Sequence, residues 1–365
     1  MSNIVILKNG TIWGGMEHWV FETSQELVKR GHNVVVVCHP QSKLYLNCVK
    51  NDIGVKGLII EKSSSLNIFK IIGFYRYLKK NKVDAIIVGS SADRKFGILA
   101  ARLAGVKKII HRQGGDLKIR NTFYNRLLLG KYATNIIANS IATRDTMLKG
   151  NETWLKKDMI KVIYNGVKVE KYSNPEIVTN IREEFQIPAE KVLMVKIGRL
   201  DIQKGHEYLI ESINKVKQHF QNFHLLIVGT GPLESELKNK VKELGLEEYI
   251  TFTGFREDIP SILAQVDFLV HTALWEGFGF VLAEAMAAKK PIVAMDASNI
   301  SELVIDGVNG YLAKYKDTDD IAVKIIKMCC TDEREMIGER GFEIVKEKYS
   351  FERMVDEVEK LISKN

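Results

Sequence analysis

What most narrows the fold of this chain is a rhythm. Short Val- and Ile-rich runs alternate with helix-type segments from end to end, the pattern of parallel sheets covered by helices. Residues 3–8, 33–38, 85–89, 108–112, 136–139 and 161–164 read as strands. Most are near-continuous apolar runs, as expected of strands buried on both faces. Helical patterns fill the intervals, among them 19–30, closed by Gly31, and 94–104, closed by Gly105. After Ser173-Asn174-Pro175 interrupts the series, strand-type runs resume at 191–197, 223–228, 250–253, 268–271 and 291–294. Two domains are expected, 1–172 and 173–345, with 346–365 a charged helix that crosses back to the first; 365 residues suffice for two such cores. Doubly wound sheets bind ligands beyond the carboxyl ends of their strands. The expected architecture is therefore α/β, two Rossmann-like domains facing across a cleft that holds the site.

Composition excludes several classes. Hydrophobic residues at 45% and charged residues at 27% fit a soluble globular chain rather than a disordered or membrane-spanning one. No run approaches the roughly 18 apolar residues of a membrane span. Met1-Ser2-Asn3 leads into a strand-type run without the basic flank and cleavage site of a signal peptide, so a cytoplasmic location is expected. Cys38, Cys48, Cys329 and Cys330 have neither zinc nor redox spacing, and neither metal nor disulfide is anticipated. The net charge of +8 hides a division: residues 1–175 carry 29 Lys and Arg against 12 Asp and Glu, and residues 176–365 the remaining 24 against 33. Such asymmetry points to an anionic partner for the first half: nucleic acid, an anionic membrane surface or a phosphate-bearing acceptor. Nucleic acid is disfavoured, because no aromatic-interleaved basic motif of that kind is present. The segment 69–80 sets Phe69, Phe74, Tyr75 and Tyr77 among Lys70, Arg76, Lys79 and Lys80. A helix of this kind can lie peripherally on the inner face of an anionic membrane, or else pack its rings into the core.

The strongest chemical signal is Trp275-Glu276-Gly277-Phe278-Gly279-Phe280-Val281-Leu282-Ala283-Glu284-Ala285-Met286. It follows the strand at 268–271 and opens a helix, whose free N–H groups and dipole suit a diphosphate. Glu276 and Glu284 bracket that anion site. Carboxylates beside phosphates are unfavourable unless they accept hydrogen bonds from hydroxyls, which makes these two hydroxyl clamps. Upstream, Arg199 and Lys204 follow the first strand of the second domain, where two cations could neutralise a leaving diphosphate. In the first half, Gly14-Gly15 precedes a helix and allows close backbone approach to a ligand. Its spacing is not that of a dinucleotide fingerprint, which disfavours an oxidoreductase.

The EGFG and EAMA setting of Glu276 and Glu284 resembles the signature of retaining glycosyltransferases of group 1, or family 4. The resemblance extends through 198–205, 228–233, 253–256 and 302–312. It implies the GT-B fold and a metal-independent, cofactor-free enzyme with a nucleotide sugar as co-substrate. The expected reaction moves a hexose or N-acetylhexosamine from a nucleoside-diphosphate sugar, UDP-sugar favoured, to a hydroxyl of a glycan or lipid-linked glycan. The setting that the resemblance implies is bacterial cell-surface polysaccharide or lipopolysaccharide synthesis. By resemblance, Glu276, His111, Arg199 and Lys204 are catalytic. The donor is held by Gly14, Gly15, Arg199, Lys204, Gly229, Phe255, Arg256, Glu276, Gly277, Phe278, Gly279, Phe280, Val281 and Glu284, and the acceptor by Glu17 and Asp116. The alternatives are a nucleotide-sugar epimerase on the same fold, for which no acid and base set is evident, and a non-catalytic nucleotide-binding protein. Two departures from the family pattern stand out: Lys290 where relatives carry glycine, and Asp296-Ala297-Ser298-Asn299 in place of a Gly-Gly turn.

Overall fold

The computed structural model describes residues 1–60, 67–115 and 117–363. The chain divides into two compact units, Met1–Asn165 together with Met354–Asn365, and Gly166–Arg353.

Unit one holds a seven-stranded parallel sheet of β1 (Asn3–Leu7), β2 (Asn33–Cys38), β3 (Gly54–Gly57), β4 (Ala85–Val88), β5 (Lys108–Gln113), β6 (Asn135–Ala138) and β7 (Ile160–Val162). Their order is β3-β2-β1-β4-β5-β6-β7. The chain winds outward from β1 to β3, returns beside β1 as β4 and winds the other way. That reversal is where open α/β sheets bind ligands. Val5, Leu7, Ile86, Val88, Phe96 and Ile109 build the core beneath it. β3 was not anticipated, since its sequence Gly-Val-Lys-Gly has no apolar run and it pairs only with β2, at the sheet edge. The last helix, Phe351–Ser363, turns Met354, Val355, Val358 and Ile362 inward. Met354 lies against Trp19 Nε1 at 2.9 Å, and Arg30 bonds Asp356 at 2.6 Å and Glu359 at 2.8 Å.

The helix Ile68–Lys80 divides the two readings of its aromatics. Ile71, Phe74 and Leu78 recur at helical spacing and are buried, with Phe74 stacked on Phe96 at 5.1 Å. Phe69, by contrast, is 82% exposed. Among the described residues no helix is long and apolar enough to cross a membrane.

Unit two holds six parallel strands: β8 (Val192–Ile197), β9 (Phe223–Val228), β10 (Ile250–Gly254), β11 (Phe268–His271), β12 (Ile292–Met295) and β13 (Gly310–Ala313). Their order is β10-β9-β8-β11-β12-β13, with the reversal between β8 and β11. β13, a short edge strand paired with β12, was also unanticipated. The helix Glu170–Ser173 packs against the helices Ile259–Gln265 and Phe280–Ala287, so the 170s belong to this unit.

Candidate active site

The carboxyl ends of β8 and β11 bring Lys204, His271 and Glu276 together. Lys204 closes a 3-10 turn whose cap is the Asp201 side chain, which accepts the Lys204 N–H at 3.3 Å. His271 is the last residue of β11. The Lys204 ammonium donates to Glu276 Oε1, and His271 Nε2 stands 3.4 Å from the same oxygen. Burial opposes charge on Glu276, but the His271 ring and the Lys204 ammonium overcome it and hold the carboxyl down to about 2. Burial first, then the charge of Lys196, lowers His271 to about 4. The pair is thus a carboxylate beside a neutral imidazole at neutral pH.

Beyond β8 and β9 opens a cavity of about 690 Å³ lined by Gly198, Arg199, Gly229, Thr230, Phe255 and Arg256. The Arg199 side chain is 68% exposed and among the described residues is paired with Asp201 alone, at a loose 3.7 Å, which leaves it within reach of a ligand. Phe255 shows an open ring face. Arg256 is different: Asp258 at 2.7 Å and Glu184 at 2.5 Å already neutralise it, so it contributes a wall rather than a free cation. Gly229 has φ +136°, and a Cβ there would meet the Gly198 carbonyl oxygen at 2.1 Å. The loops after β8 and β9 therefore touch only because that residue is glycine.

The helix Phe280–Ala287 starts at Gly279, φ +86°, without a side-chain cap. Gly277, Phe280 and Val281 lie around this start. Phe278 is only 2% exposed, its ring packed on Phe280 at 5.3 Å and Tyr349 at 5.8 Å and its carbonyl accepting from Asn299 at 3.0 Å, so it supports the loop from behind. Glu284 is half-buried; burial pushes its carboxyl above the ordinary range, against a hydrogen bond from Tyr172. Of the departures from the family pattern, Lys290 donates to the Ala264 carbonyl at 2.9 Å, and Ser298 adopts φ +53°, a conformation glycine takes without strain.

In unit one, Gly14 begins the helix Gly15–Lys29. Among the described residues a Cβ on Gly14 would meet Glu17 Oε2 alone, at an ordinary 3.5 Å, so no steric contact among them demands glycine there. Glu17 is buried and paired with Lys8 at 2.6 Å. His111 is 1% exposed. Its Nδ1 lies 3.1 Å from the Val88 carbonyl, and its Nε2 lies 3.2 Å from Gln113 Oε1 and 3.4 Å from Arg94 Nη1. Burial, then the Arg94 charge, lowers it to about 3. This imidazole is neutral and faces Arg94 rather than solvent. Asp116 lies outside the described residues.

Besides His271, the side chains of Lys196, Arg94 and Tyr172 escaped the sequence reading. Lys196 is fully buried in β8, and among the described residues its ammonium has no hydrogen-bond partner; burial, then Lys204, lower it to about 7. A single cation within the otherwise apolar strand Val192–Ile197 was its signal. Arg94 follows the capping box of Ser90 and Asp93, which marks a helix start without saying what the helix faces. Tyr172 carries no local signal, since its partner Glu284 is remote in sequence.

Comparison with known proteins adds the following. Residues 178–344 match the family described as Glycosyl transferases group 1, and residues 13–171 the Glycosyltransferase Family 4 description. An uncharacterized glycosyltransferase of Methanocaldococcus jannaschii is 30% identical over 269 residues, 73% of this chain and 70% of that one. The UDP-Gal:alpha-D-GlcNAc-diphosphoundecaprenol alpha-1,3-galactosyltransferase of Escherichia coli is 27% identical over 276 residues, 72% and 70% of the two chains. Among solved structures, Anabaena HepE in complex with UDP superposes with a TM-score of 0.87 at 23% identity over 99% of both chains. A glycosyltransferase from Rickettsia africae gives 0.89 at 23% identity, over 100% of this chain and 99% of that one. These neighbours share the GT-B fold.

Proposed function

The chain belongs to the glycosyl transferases of group 1, family 4, and we propose that it is a retaining enzyme that takes its sugar from a UDP-sugar bound to unit two. The observation that carries this reading is the Lys204–Glu276–His271 cluster beside the 690 Å³ cavity, with the largely exposed Arg199, paired loosely with Asp201, at its wall. A donor diphosphate brings the charge that Lys204 and Arg199 can neutralise as the glycosidic C–O bond breaks. The opened face of Phe255 suits the base. Glu284 and Glu276 suit the ribose and sugar hydroxyls. The acceptor hydroxyl then bonds to the anomeric carbon on the face the diphosphate leaves, and its proton passes to that diphosphate. The sugar is a hexose or N-acetylhexosamine, and the acceptor a glycan or lipid-linked glycan of a cell-surface polysaccharide. The UDP complex of HepE and the galactosyltransferase activity named for the Escherichia coli relative support the donor and acceptor classes.

Glu284→Ala tests the donor assignment. Loss of a hydrogen bond to a charged group costs about 1.5–3 kcal/mol, so UDP affinity by calorimetry should fall by roughly 10- to 100-fold. Equal affinity in the variant would remove Glu284 from the ribose.

Attachment to an anionic membrane surface fits the exposed Phe69 at the start of the helix Ile68–Lys80 and the basic Lys79 and Lys80 in its last turn. Each basic residue near anionic lipid contributes about 1 kcal/mol. Co-sedimentation with vesicles should need anionic lipid and weaken in Arg76→Glu/Lys79→Glu/Lys80→Glu; indifference to lipid charge would end this part of the proposal.

A further inference from the structure

Unit one contains a cavity that the donor chemistry does not use. It encloses about 830 Å³ at the carboxyl ends of β1, β4 and β5, with Ser91, Arg94, Lys95, Lys118, Arg120 and Asn125 in its wall. This is the point where the strand order reverses, the expected ligand position of such a sheet.

Arg94 in that wall is only 7% exposed, and no carboxylate among the described residues pairs with it. Neutral groups hold it instead. Nη2 donates to Asn125 Oδ1 at 3.1 Å and approaches Ser91 Oγ at 3.5 Å, Nη1 faces the neutral His111 ring, and Nε has no partner among the described residues. Asn125 is itself fixed by donating to the Arg120 carbonyl at 2.7 Å. The neighbouring carboxylate, Asp93, is committed to the N–H groups of Ser90 at 2.9 Å and Asn9 at 3.1 Å. A buried guanidinium without an anion is costly. Here its direction is set while no carboxylate among the described residues compensates its charge, the arrangement of a site awaiting an anion. Lys8, also in the wall, is taken by Glu17, but Lys95, Lys118 and Arg120 have no carboxylate partner among the described residues. Four available cations exceed what a single carboxylate requires, and the planar fork of arginine matches a phosphate.

We propose that this cavity binds the phosphate or diphosphate of an anionic acceptor, with Arg94 as the grip and Lys95, Lys118 and Arg120 as cations around it. The inference rests on the glycosyltransferase reading, which assigns the donor to unit two and leaves unit one for the acceptor. The two sources of such a group, a lipid diphosphate and a soluble phosphoester, share this chemistry.

The test is calorimetric titration of pyrophosphate into the full-length chain saturated with UDP. Wild type should bind, with affinity falling as salt is added, and Arg94→Met should weaken binding by about tenfold or more. Failure of the UDP-saturated wild type to bind pyrophosphate overturns the proposal. So does competition between UDP and pyrophosphate, which would put the anion in the donor site, and so does equal affinity in a folded Arg94→Met. If circular dichroism shows that Arg94→Met does not fold, the exposed double variant Lys118→Ala/Arg120→Ala decides: weakened binding supports the site, and unchanged binding overturns it. A wild type that binds pyrophosphate but not UDP would count against the donor reading alone. Farnesyl diphosphate separates the sources, since tighter binding than pyrophosphate identifies a lipid acceptor and equal binding a soluble one.

Discussion

Lys204→Ala is expected to lower turnover at saturating donor by about 10²- to 10³-fold, the loss typical of one preorganised electrostatic group aimed at developing charge. Lys204 is fixed before any donor arrives. Its backbone N–H is held by the Asp201 cap and its ammonium by Glu276. A diphosphate that develops charge as it leaves therefore meets a cation already in place. The substitution also strips Glu276 of a partner, so its carboxyl should rise from about 2 toward the ordinary range, because burial is then opposed by His271 alone. Lys204→Arg keeps the charge and should recover part of the rate. Steady-state assay of UDP release decides the matter: near-normal turnover in Lys204→Ala would exclude the role.

Glu276→Gln is expected to reduce transfer by at least about 10²-fold while leaving UDP affinity equal to or tighter than wild type. Glutamine preserves the volume and an acceptor oxygen but removes the charge. The sugar hydroxyl loses a charge-assisted partner, roughly twice as strong as a neutral one, whereas UDP carries no sugar to notice the change. Lys204, released from its ion pair, is left freer for phosphate. Stability should shift in a defined direction as well. A carboxyl held at about 2 in the folded protein, below its ordinary value near 4.3, contributes stability that is fully present above the ordinary value and lost as pH falls through about 2. Glu276→Gln should remove that acid-side dependence. A UDP affinity weakened tenfold in the variant would show that Glu276 acts on the nucleotide rather than the sugar.

Both predictions depend on a contact between residues 72 apart in sequence. The sequence placed Lys204 and Glu276 separately, each after a strand, and nothing local says that the two form one ion pair or that His271 stands behind it. The same holds for His111, legible as a histidine at a strand's carboxyl end. That Arg94 covers it follows from the side-by-side packing of β4 and β5 and from the helix Ser91–Ala104 that follows β4.

By itself the sequence determined what is encoded locally: buried parallel strands as apolar runs, helices by caps and periodicity, the two-series order, and the glycines and acids of the 275–286 signature. Each depends on spacing within a dozen residues, which backbone geometry translates directly into local structure. The tertiary structure decided the rest. Edge strands β3 and β13 have weak patterns of their own and exist through their neighbours. Phe74 became core and Phe69 surface because the helix presents only one face to Phe96. Arg256 was neutralised by Glu184 and Asp258, whereas Arg94 is held by Asn125 and has no carboxylate partner among the described residues. Charge and burial are properties of the assembled surroundings, and a side chain acquires its environment only when distant segments meet.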